Sequence, residues 1–104
     1  MDKKIIFAAS SYNKKYFFDE ISESLPLDIK NRIKEIGLYF VNKVGGIFSI
    51  GFYDDNDFFI DYRFSEDDFL CDEIGAKLEI EKIKRDNKDL ISALILWYKI
   101  FNKK

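Results

Sequence analysis

The chain contains no histidine. That removes the usual general base near neutral pH, the Ser–His and Cys–His nucleophile pairs, and every imidazole metal site. It contains one cysteine, Cys71, so no disulfide can close within it. A lone thiol, with no signal peptide, points to the cytoplasm. The longest apolar run, Ala93 to Tyr98, is far too short to span a bilayer. Neither sign of charge dominates: 17 Lys and Arg face 19 Asp and Glu, a formal net charge of -2. A nucleic-acid module usually carries a clear basic excess, so that class is disfavoured. Glycine is sparse and holds no phosphate loop: the pair Gly45-Gly46 is followed by no lysine–serine pair and reads as a helix stop.

What is present is apolar and aromatic. Hydrophobic residues make up 47% of the 104, with eleven Phe and six Tyr. That is enough for one domain, residues 1–104, with a core of its own. From Ile80 to Phe101 a seam of Ile80, Ile83, Asn87, Leu90, Leu94, Trp97 and Phe101 recurs in alternating steps of three and four. This spacing predicts one long C-terminal helix of about six turns. Ile91, Ile95, Leu96, Tyr98 and Ile100 widen the stripe in its second half. The first half is narrow and flanked by Lys82, Lys84, Arg85 and Lys88. A narrow seam suits a partner helix, and a polar residue within one fixes register. Ile80, Ile83 and Asn87 are therefore candidate contacts of a homodimer, and Ile83→Glu is expected to weaken it while leaving the fold largely intact.

Earlier in the chain, Lys4 to Ala9 reads as a strand. Lys15 to Phe18 reads as a strand returning in a hairpin, or Tyr12 to Ile21 as a helical turn. Asp19 to Ser24 reads as polar linker. Pro26 suits the first turn of a helix continuing through Ile29, Ile33, Ile36, Phe40 and Val44, with Asp28 and Arg32 paired on its exposed side. A second hairpin follows. A three-residue loop, Asp54-Asp55-Asn56, pairs Phe52 with Phe58, Ile50 with Ile60 and Phe48 with Tyr62, so these six share one face, and the other face carries Ser49, Gly51, Tyr53, Phe59, Asp61 and Arg63. Asn56 tolerates the left-handed backbone that this loop demands. Ser65 to Ile74 is expected to form a short helix ended by Gly75, with a brief extended segment after it. The fold class is then α+β: an antiparallel sheet from two hairpins packed against a central helix and a long C-terminal helix.

The stretches Ala9-Ser10-Ser11-Tyr12-Asn13-Lys14-Lys15-Tyr16, Leu25-Pro26, Val44-Gly45-Gly46-Ile47 and Asp67 to Gly75 (DDFLCDEIG) carry a resemblance. On them the chain resembles a small, uncharacterised bacterial protein family of about this length with no assigned activity. The resemblance implies a one-domain bacterial cytosolic protein and supplies no site residues.

Nine acids between Asp54 and Glu73 are opposed only by Arg63. Hard cations take carboxylate oxygens, and Asp61, Asp68 and Asp72 form the candidate metal set, the latter two expected on one helix face. A calcium loop beginning at Asp55 fails, because Phe59 and Ile60 stand where a ligand and a glycine belong. Solvent-facing turn and cap acids are the plainer reading. Cys71, flanked by acids that would raise its pKa, is expected to be a small buried hydrophobe. The sequence thus favours a non-catalytic interaction or regulatory protein with no cofactor, self-associating through its C-terminal helix, with no nucleic-acid or membrane partner. A divalent-metal or small-ligand site on the acidic stretch is the alternative.

Overall fold

The second hairpin shows the sequence pattern most directly. In the computed structural model, which describes residues 3–101, strand β3 (Ile47–Tyr53) pairs antiparallel with strand β4 (Phe58–Arg63). Phe52 stands opposite Phe58, Ile50 opposite Ile60 and Phe48 opposite Tyr62, as the burial argument requires. The loop closes with Asn56 at φ +69, its amide donating to the Tyr53 carbonyl. Strand β1 (Lys3–Ser10) lies on the other side of β3, and the short strand β2 (Lys15–Phe18) pairs with β1 at the edge. The sheet order is β2-β1-β3-β4. The strand reading of residues 15–18 is therefore the right one. A register shift between Ile5 and Phe7 makes Ile6 an extra residue in β1. This bulge lets neighbours Ile6 and Phe7 both be buried, which strict alternation forbids.

Helix α1 (Leu27–Lys43) starts one residue after Pro26 and ends at Gly45-Gly46, both at positive φ. It lies close on the sheet because Gly37 has no side chain: a Cβ there would stand 2.2 Å from the Phe7 ring. Before it, residues Glu20–Ser24 form a short 3-10 helix rather than a linker. Asp19 caps this turn by accepting from the Ile21 amide, and Ser22 is buried at its centre.

Two corrections concern the C-terminal half. Residues 65–72 are not helical. Ser65, Asp67 and Asp68 bind their own surroundings instead: the Ser65 hydroxyl donates to Asp67, and the Leu70 amide donates to Asp68 at 3.0 Å. Such local bonds compete with helix formation. Helix α2 (Glu73–Asp86) begins where Asp72 accepts from the Gly75 amide, so Gly75 lies in its first turn and no extended segment follows. The long helix is also broken. Asn87, at φ -126, separates α2 from helix α3 (Lys88–Phe101). Its side-chain amide donates to the Ile83 carbonyl at 2.9 Å, capping α2, and its own carbonyl accepts from Ile91 to begin α3.

The helices cover one face of the sheet. Phe7, Phe40 and Phe48 meet beneath α1. Phe52 stacks on Tyr98 of α3 at 3.9 Å with the rings nearly parallel, and α2 packs against β4. Ile80, Ile83, Leu90, Leu94 and Trp97 join this one core. Trp97 satisfies its indole N–H on the Ser24 hydroxyl at 2.8 Å. On the opposite face Phe59 is buried beside Gly51 in the ladder. Lys3 lies over the Phe59 ring at 5.1 Å while pairing with Asp61.

Candidate functional site

The candidate metal carboxylates come from separate elements, and each has its own protein partner. Asp61, on β4, pairs with Lys3 at 3.3 Å and accepts from the Tyr62 amide. Asp68 accepts from the Tyr12 hydroxyl at 2.6 Å. Asp72 caps α2. Asp68 and Asp72 do not share a helix face, because residues 65–72 are not helical and α2 begins only at Glu73. Among the described residues, no group of three or more Asp, Glu, Cys or His is placed to hold a metal ion. Cys71 is exposed, not buried as expected, since the turn that carries it stands off the core.

Tyr12 organises that turn. Its hydroxyl donates to Asp68 and accepts from the Ser65 amide at 2.8 Å, tying the loop after β4 to the hairpin after β1. Donation to the Asp68 carboxylate raises the phenol above its ordinary pKa. The Ser65 hydroxyl holds Asp67 below the usual carboxylate range. The loop is thus pinned at both ends, yet it leaves Phe69 93% and Leu70 92% exposed.

A groove of about 370 Å³ lies between α1 and α2, lined by Glu35, Ile36, Tyr39, Glu79, Lys82 and Asn87 among others. Beside Tyr39 is a pair absent from the sequence reading. Glu79 is only 6% exposed and pairs with Lys43 at 3.1 Å. The Glu79 carboxylate, by hydrogen bond and then by charge, holds the Lys43 ammonium above its ordinary pKa. At the far end of α1, Arg32 reaches away from Asp28. It donates to the Asn87 side-chain oxygen at 3.0 Å and to Asp89 at 3.1 Å. Arg32 therefore clamps the α2–α3 joint, and it holds the Asp89 carboxyl below the usual range.

The dimer seam expected from sequence is accordingly an inward face. Ile80 and Ile83 are buried in the chain's own core, and Asn87 is a helix cap bound to Arg32. The outward apolar residues are others. On α3 they are Leu96 and Ile100, while Phe101 of the seam is exposed at the helix end beside Trp97; on α2 and the turn before it they are Phe69, Leu70, Ile74 and Leu78. The only sequence signal for the α3 set was a helix apolar on every side, more than one core can cover. The Phe69 set was masked by the expectation of a helix ending at Gly75.

No helix among the described residues is long and apolar enough to cross a membrane. No curated protein and no solved structure matches the chain. One family does: over residues 3–104 the sequence matches DUF6145, a family of unknown function, and the chain belongs to that family.

Proposed function

We propose that this is a non-catalytic cytoplasmic interaction protein that pairs with a second copy of itself through the outer face of α3. One observation carries the reading: after α3 has filled the core with Leu90, Leu94, Trp97 and Tyr98, it still presents Leu96 and Ile100 to solvent on its other side. Leu96 and Ile100 stand one turn apart on that face. After Asp89 the helix carries no acid, and Lys99 is its one charge before Phe101. A self-complementary two-fold contact is therefore open to this surface without like charges crowding its centre. The contact stays on the C-terminal helix but moves from Ile80, Ile83 and Asn87 to the opposite face and the second half. An exposed lone thiol, Cys71, suits a reducing compartment.

Sedimentation velocity across a concentration series tests the proposal. The expected result is a mass that doubles with concentration and a Leu96→Glu, Ile100→Glu variant that stays monomeric and melts like the dilute, monomeric wild type. A wild-type mass that remains that of one chain at high micromolar concentration overturns it.

A further inference from the structure

A second surface has different chemistry. Phe69 and Leu70 project from the turn before α2, and Ile74 and Leu78 continue outward along that helix, opposite its buried residues Ala76, Ile80 and Ile83. Around its turn half the strip is rimmed by acids: between Ser65 and Ala76 the chain carries Glu66, Asp67, Asp68, Asp72 and Glu73 and no lysine or arginine, and the first base, Lys77, stands beside Leu78 at the far end. Its apolar residues are held out by structure. Tyr12 pins Ser65 and Asp68, Asp68 takes the Leu70 amide, and Asp72 fixes the first turn of α2. A surface fixed before contact loses less conformational freedom on binding than one that must first order.

We propose that this acid-rimmed strip docks a basic amphipathic helix of another protein, its apolar side chains against Phe69, Leu70, Ile74 and Leu78 and its lysines or arginines against the acidic rim. Charge selects this occupant. The same strip on a second copy would oppose five acids with five more. An anionic membrane surface and a nucleic-acid backbone are repelled in the same way. A helix with apolar anchors at i, i+3, i+4 and i+7 and basic flanks meets both features at once.

The probe is a labelled synthetic helix of about 18 residues, leucine on one face and lysine elsewhere, long enough to fold on the surface. A counterpart carrying glutamate for lysine is titrated beside it, and anisotropy is read at two salt concentrations. The lysine peptide is expected to bind and to weaken with salt, while the glutamate peptide does not bind. Phe69→Ser with Leu70→Ser should weaken binding about tenfold or more, with the melting temperature unchanged because both side chains are exposed. Glu66→Gln with Glu73→Gln should weaken binding and flatten its salt dependence. The same loss of two charges on the 3-10 helix, Glu20→Gln with Glu23→Gln, should do neither. Equal binding by the Phe69→Ser, Leu70→Ser variant overturns the proposal. So does equal binding of the glutamate peptide, capture by phosphatidylcholine vesicles that depends on Phe69, or self-association that is lost in that variant.

Discussion

Helices α2 and α3 are each 14 residues long, and one seam of three-and-four spacing runs through both. They solve the same packing problem with different amounts of apolar surface. Helix α2 commits a narrow inner stripe, Ala76, Ile80 and Ile83, flanks it with charge apart from Ile74 and Leu78 at its outer start, and buries Glu79 only because Lys43 reaches in from α1. Helix α3 is apolar nearly all round, buries Leu90, Leu94, Trp97 and Tyr98, and has aliphatic surface left over. A shared period therefore tells which side of a helix faces in. Whether the chain stays helical between two such stretches depends on bonds the period does not contain, here the Asn87 amide on Ile83 and the Arg32 clamp.

The sharpest way to break the comparison is in the core. Leu94→Ala in α3 and Ile83→Ala in α2 should each lower unfolding stability by about 2–5 kcal/mol in denaturant titration. Ile83→Glu should abolish folding rather than spare it, because the charge would lie in the chain's own interior. If α2 were instead waiting for a partner, Ile83→Ala would cost under about half a kcal/mol, as surface changes do.

A smaller effect tests the charged side of α2. Lys43→Met leaves the buried Glu79 carboxylate without its cation and should lower the melting temperature by several degrees. Glu79→Leu, which removes the buried charge itself, should cost far less, and the double variant should resemble it. Equal losses in the two single variants would mean that packing of the side chains, not their charge, fixes this contact.

The smallest expected effect lies at the joint. Arg32 depresses the folded pKa of Asp89, so the pair's contribution is complete above the unfolded carboxyl value of about 3.9. As pH falls through that value the unfolded chain takes up the proton first, and stability drains until the folded carboxyl also protonates. Asp89→Asn should make this acid limb shallower while leaving stability near pH 7 little changed, since the pair is exposed. An acid limb identical to that of the wild type would remove Asp89 from the linkage.

Legibility followed the kind of information each element needs. The β3–β4 register is readable because one parity turns Phe48, Ile50, Phe52, Phe58, Ile60 and Tyr62 to the same face and Asn56 fits the loop. The α1 stop was readable because Gly45-Gly46 acts locally. The break at Asn87 was not, because its clamp comes from Arg32, 55 residues away in sequence. The acids after Ser65 looked like a helix start, and their side chains instead hold a turn. The candidate surface residues Leu96 and Ile100 read as core for a related reason: in a helix that is apolar on every side, composition does not say which residues are left outside.

Cys71 stands beside Leu70 on the acid-rimmed strip, and it is the one cysteine of the chain. A thiol-reactive fluorophore will therefore label the native protein at a single site, next to Phe69 and Leu70, and report a docking event with no engineered handle. The same exposure sets a rule for handling. Air oxidation in the absence of reductant can join two chains only through this thiol, and a doubled mass of that origin has nothing to do with α3, so weighing the protein for self-association calls for a reducing buffer or Cys71→Ser.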